Sequence, residues 1–130
     1  MQPNEQKQPN EKFEPTVVVK TYRVILGLCP IINKFPKIYK HAIGQELLDN
    51  LLAILKKVFT ANAMPRPLRE SPLIEAISAC ETAKILMRLC SELGIMINTQ
   101  YFQYSANIAE IGKMLGGWIA FVRNGKNERK

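Results

Sequence analysis

Any chemistry in this 130-residue chain must come from a short list of groups. The three cysteines, Cys29, Cys80 and Cys90, form no CxxC pair, and His41 is the only histidine. A zinc site needs about four ligands at set spacings, which these residues do not supply. All three cysteines stand among apolar neighbours and read as buried small hydrophobes. Glu46 and Asp49, three apart, form the close carboxylate pair. A di-metal bundle would need Glu-x-x-His motifs from facing helices. None occurs, so the pair reads as a solvated acidic patch or as salt-bridge partners. The sequence also lacks G-x-x-x-x-G-K-[ST], G-x-S-x-G and HExxH. His41, beside Lys40, reads as a surface residue or a weak phosphate contact. The expectation is a protein with no catalytic residue, no metal and no cofactor.

The cations offer more. The chain carries 18 Lys+Arg against 11 Asp+Glu, a net charge of +7. That balance points to a polyanionic partner and says nothing about fold. The positive charge is segregated. Residues 15–45 contain Lys20, Arg23, Lys34, Lys37 and Lys40 and no acid. Residues 50–69 contain Lys56, Lys57, Arg66 and Arg69, again without an acid. A third basic stretch covers 111–130, and the acids lie elsewhere. Segregation of this kind suits phosphate contact, with solubilising lysines as the bland alternative. Neither zinc-finger ligands nor the aromatic pattern of an RNA-recognition module is present. Backbone contact without base reading is the most the charges support.

These residues need elements to position them, and the periodicity predicts an all-α chain. Residues 1–15 hold three prolines and little to bury, which reads as a disordered tail. A first helix over 17–34 is apolar nearly all round, with Lys20, Arg23, Gly27 and Lys34 on one narrow stripe. Burial on two sides follows, one of them a subunit interface. Pro30 should kink this helix or end it early. The second helix, over 38–63, is amphipathic, with Ile43, Leu47, Leu51, Ile54, Leu55 and Val58 inward.

Ser71 and Pro72 make a start signal for a third helix over 72–94. It carries small residues on one arc (Ala76, Ala79, Cys80, Ala83, Cys90) and a second apolar strip of Ile74, Ile85 and Leu89. Gly94 is its stop. A fourth helix, over 99–123, buries Tyr101, Tyr104, Ile108, Ile111, Leu115, Trp118, Ile119 and Val122, and ends at Asn124-Gly125. Residues 125–130 then form a basic tail. Four helices with short joints describe an up-down four-helix bundle over 16–124. No apolar run is expected to reach the length of a membrane span, and no signal peptide opens the chain, so a cytoplasmic protein is expected.

One local signal stands out. In Gly112-Lys113-Met114-Leu115-Gly116-Gly117-Trp118, Gly112 and Gly116 share a helix face beside the apolar stripe. Glycine there costs about 1 kcal/mol relative to alanine. Close approach of another helix is the compensating gain, and Trp118 fills the adjoining space.

That segment resembles the fourth-helix signature of the accessory variability determinant (Avd) proteins of diversity-generating retroelements. These belong to a wider four-helix-bundle group that includes proteins encoded in ribosomal RNA intervening sequences. The first helix is similar as well: Tyr22-Arg23-Val24-Ile25, then Cys29-Pro30-Ile31, then Phe35-Pro36-Lys37, with Pro30 and Pro36 six apart. Lys84 and Arg88 fall where the family carries basic residues on its third helix. The resemblance spans about residues 17–124.

It implies a non-catalytic partner of a reverse transcriptase, built as a basic homopentamer of four-helix subunits. Such a partner binds the polymerase and its template RNA (or DNA, or an RNA–DNA hybrid) and supports mutagenic cDNA synthesis. Lys20, Arg23, Lys34, Lys37, Lys84 and Arg88 are then the candidate contacts. The alternatives are an intervening-sequence bundle protein without a polymerase, and a structural oligomer.

Overall fold

The structure, a computed structural model, describes residues 15–128. Of the tail expected over 1–15, residues 1–14 lie outside them, and Pro15 instead opens the first helix. Helix α1 spans Pro15–Asn33. The second helix starts at Lys37–Tyr39, passes through a π-helical turn at Lys40–Gly44, and continues as α2, Gln45–Ala63. A 3₁₀ turn at Arg66–Leu68 leads into α3, Glu70–Glu92. Helix α4 spans Asn98–Glu128. Among the described residues there is no strand. The helices alternate in direction, and each packs on its chain neighbours, with α1 also against α4. This closes a four-helix bundle in which α1 and α3 stand on one diagonal.

The core follows the periodicity. Val17, Val24, Leu28 and Ile32 of α1 are buried with Leu47, Leu51, Ile54 and Val58 of α2. Leu73, Ala76, Ala79, Cys80, Ala83, Met87 and Cys90 of α3 meet Ile108, Ile111, Leu115, Ile119 and Val122 of α4. Thr21 is a buried polar side chain among the described residues, and its Oγ1 donates to the Val17 carbonyl at 2.8 Å, so its burial carries no orphan.

Several boundaries differ from the sequence reading. Helix α1 continues through Pro30, then closes with Lys34 N–H donating to Ile31 O and Phe35 N–H to Ile32 O. Pro30 faces outward, where the interrupted hydrogen bond is least costly. Ser71 does not cap α3. That helix begins at Glu70 without a side-chain cap, and Leu73 N–H already donates to Arg69 O. The loop is instead tied by Arg69, whose Nε donates to Met64 O at 2.8 Å. Gly94 does stop α3, at φ +74°. Ile95 N–H reaches Cys90 O and Gly94 N–H reaches Ser91 O, the paired bonds of a Schellman motif.

Asn124-Gly125 does not end α4, which runs on to Glu128. Gly125 lies under Arg66, where a Cβ would collide with the guanidinium. Arg66 also stacks on Phe121, 4.2 Å from its ring centroid, and donates to the Phe121 carbonyl. A tertiary contact thus explains the glycine that looked like a stop.

Cys29 is a further correction: it is exposed, whereas Cys80 and Cys90 are buried. It falls on the outward face of α1 with Tyr22 and Leu26, away from the core stripe. The membrane-span expectation also changes. Thr16–Asn33 has 18 residues at a mean hydropathy of 1.3, long and apolar enough to cross a bilayer by those two measures. Here it packs one face into the bundle and leaves Val19, Tyr22 and Leu26 exposed.

Candidate nucleic-acid interface

The candidate cations separate according to their neighbours. Lys20 projects from α1 toward α4 and pairs with Glu110 at 2.9 Å. Lys84 meets Glu81 at 3.3 Å, and Arg88 meets Glu92 at 3.5 Å, all on α3. Lys57 pairs with Glu75 and Arg123 with Glu70. These are surface pairs, worth about 0–1 kcal/mol each. Their consequence here is electrostatic, because each acid cancels a charge that a phosphate would otherwise meet. Arg66 and Arg69 are engaged by main-chain carbonyls.

Arg23, Lys34, Lys37 and Lys40 differ. No ion pair engages them among the described residues. Lys34 closes α1, Lys37 opens the second helix, and Lys40 starts the π turn one helical turn later. All three therefore lie at one α1–α2 corner, with His41 exposed beside them. The corner is held from below by Gly44. A Cβ there would stand 2.6 Å from Ile32 Cγ2 and 3.5 Å from Phe35. Phe35 and Gly44 are both buried, so the corner is packed from beneath by its own hydrophobic residues. The six candidates thus do not form one patch: the corner collects Lys34 and Lys37, Lys84 and Arg88 share the outer edge of α3, and Lys20 and Arg23 flank the α1–α4 groove.

That groove is lined by Thr16, Val19, Lys20, Arg23, Tyr104 and Asn107, with a volume of about 610 Å³. Its floor depends on a glycine that the sequence reading placed merely on the polar stripe. Gly27 lies against the Tyr104 ring, and a Cβ would stand 2.8 Å from two ring carbons. A helix-interior glycine without a turn to make is the signal that could have marked it.

The expected roles of Gly112, Gly116 and Trp118 divide similarly. A Cβ at Gly112 would meet Cys80 Sγ at 3.4 Å, so this glycine does face α3 closely. Cys80 also donates to the Ile108 carbonyl at 3.3 Å. Burial raises the Cys80 thiol pKa to about 11, helped by Glu81 and opposed by Lys84. Burial raises Cys90 to about 11 as well. Both thiols are thus inert packing groups at neutral pH. At Gly116 the expected close approach is not made within the chain: nothing lies within 4 Å of a Cβ there, nor at Gly117. Both sit on the exposed side of α4, and Trp118 packs half-buried on the core edge.

Among the described residues, no group of three or more His, Cys, Asp or Glu side chains comes together as a metal site. Glu46 and Asp49 are both exposed, and Asp49 accepts from Gln45 at 2.9 Å. The pair is a local surface feature.

A family model described as bAvd-like matches residues 16–122, which takes in the first three helices and most of α4. Comparison with curated proteins gave no match. The matched span contains Pro30 and Pro36, the corner lysines and the glycine segment of α4. With a four-helix bundle carrying these features in that order, the chain belongs to the bAvd-like family, and so to the Avd proteins of diversity-generating retroelements.

Proposed function

We propose that this protein is a non-catalytic accessory factor that binds the retroelement reverse transcriptase and its template RNA to support mutagenic cDNA synthesis. The family match over residues 16–122 carries this reading. The concentration of unneutralised lysines at the α1–α2 corner supports the RNA half of it. A cytoplasmic location accords with that role.

The same reading includes assembly into a ring-like homo-oligomer, a pentamer. Two apolar strips are exposed on a single chain. One is Val19, Tyr22 and Leu26 on α1; the other is Ile74, Ile85 and Leu89 on α3. These helices are diagonal in the bundle, so their outward faces point in opposite directions. Two different faces on opposite sides favour head-to-tail contact, which closes into a ring when the rotation permits. A self-complementary dimer would use one face only.

The test is co-purification of the protein with its retroelement polymerase and template RNA, with light scattering on the free protein. Capture of both partners by an oligomer larger than a dimer is expected. A monomer that captures neither would overturn the reading.

A further inference from the structure

The α1–α2 corner has a neighbour that gives it more than charge. Beside Lys34, residues Pro30, Ile31, Ile95, Ile97 and Gln100 line a shallow hollow of about 180 Å³. Lys34 belongs to both features. Ile97 is 63% exposed on the hollow's rim, and Ile38 is 75% exposed between Lys37 and Lys40. Large aliphatic side chains left this open beside uncancelled lysines call for a partner that is both anionic and apolar.

We propose that this end of the bundle is a contact site for single-stranded RNA. Phosphodiesters lie on Lys34, Lys37 and Lys40, and an unpaired base rests over the aliphatic hollow within reach of the Gln100 amide. The inference rests on the RNA-binding reading above and adds where the strand lies and which form of RNA it is. Four arguments carry it. The ammonium groups have no acid partner among the described residues, and none occurs in sequence over 15–45. A duplex keeps its bases stacked inside, so it offers nothing to an apolar hollow, whereas a single strand presents unpaired base faces. A primary amide both donates and accepts, which suits a base edge. At its size the hollow takes one flat ring and not the cluster of anchors typical of a protein hot spot.

The test is a fluorescence anisotropy titration of the full chain with a short uridine oligomer and with an RNA duplex, between about 50 and 200 mM salt. Lys34→Gln, Lys37→Gln and Lys40→Gln combined should flatten the log–log salt slope by about 2 and weaken single-strand binding roughly a hundredfold at 0.1 M salt. Ile97→Ser with Gln100→Ala should weaken single-strand binding several-fold and leave duplex binding unchanged. These positions are exposed or half-buried, and unchanged helix content by circular dichroism with unchanged mass by light scattering confirms the fold of each variant.

If the unmodified protein binds no RNA at low salt, the RNA-binding reading itself fails. If it binds and the triple variant keeps its slope, only the corner assignment fails. Loss of polymerase capture by the triple variant, with RNA binding intact, would overturn the inference and make the corner a protein-docking site. Equal loss on duplex and single strand in the hollow variant would overturn the single-strand assignment.

Discussion

The α1–α2 corner and the outer edge of α3 are built from similar side chains and differ in electrostatic effect. At the corner, Lys34, Lys37 and Lys40 have no acid partner among the described residues. On α3, Lys84 and Arg88 stand one turn apart, and each is held by a glutamate three or four residues away. In an i, i+3 or i, i+4 relation, a carboxylate contributes only a few tenths of a kcal/mol to the helix. It nevertheless cancels the unit charge that a polyanion would otherwise meet. A basic residue becomes a phosphate contact through what its neighbours leave uncancelled.

Four experiments break or sharpen that contrast. The largest effect is expected from below the corner. Gly44→Ala drives a methyl into Ile32, and overpacking of this kind costs about 1–3 kcal/mol, offset by at most ~1 kcal/mol of helix propensity. Urea denaturation should show the net loss. An unchanged midpoint would mean that the corner is not held as tightly as the Gly44 contacts indicate.

Next, Glu81→Gln with Glu92→Gln should release Lys84 and Arg88. If neutralisation alone separates the two regions, RNA affinity rises by up to roughly twentyfold at 0.1 M salt, and the salt slope steepens by about 1.4. No change would show that the α3 edge is out of reach of RNA for steric reasons.

The converse substitution is Ile38→Glu, which sets an acid among the corner lysines at a highly exposed position. Binding should weaken roughly fivefold, equivalent to one lost contact, and stability should move by no more than about 0.5 kcal/mol. A drop in affinity without the accompanying change in salt slope would point to lost apolar contact.

The smallest effect separates packing groups from surface groups. The Cys80 and Cys90 thiols have pKa values raised to about 11 from an ordinary 9.0. The folded protein therefore holds these protons longer than the unfolded chain does. The stability they contribute is complete below pH 9 and falls as pH rises toward about 11. Denaturation midpoints should decline across that window, and less so in Cys80→Ala. At pH 8 a thiol reagent should label Cys80 and Cys90 far more slowly in the native protein than in the urea-unfolded chain, and labelling of Cys80 at the unfolded rate would contradict its burial.

The helices were legible because hydrophobic spacing is a local property. Leu47, Leu51, Ile54 and Val58 repeat at helical intervals, and any compact solution must bury them together. Gly94 was legible for the same reason, since a stop that needs positive φ acts on its own residue. Apart from Gly112, which faces α3 as its spacing implied, the glycines inside helices were not. Gly27 exists for Tyr104, Gly44 for Ile32 and Gly125 for Arg66, each distant in sequence. Gly116, read together with Gly112 as a packing residue, meets nothing within the chain. A missing Cβ signals close approach without naming the partner.

The same division holds for charge. The sequence by itself determined an all-α bundle, its inward faces, and a surplus of cations grouped in three stretches. Which of those cations remain uncancelled was decided by the tertiary structure. Glu110 reaches Lys20 from 90 residues away, and Glu70 reaches Arg123 across 53. The hollow beside Lys34 likewise exists because the turn after α3 returns Ile95 and Ile97 to the end of α1. Composition and spacing set the supply of charge and apolar surface. Packing sets where an ammonium group stands without an acid and an aliphatic side chain without a neighbour, because Coulomb interactions and burial depend on distance through space.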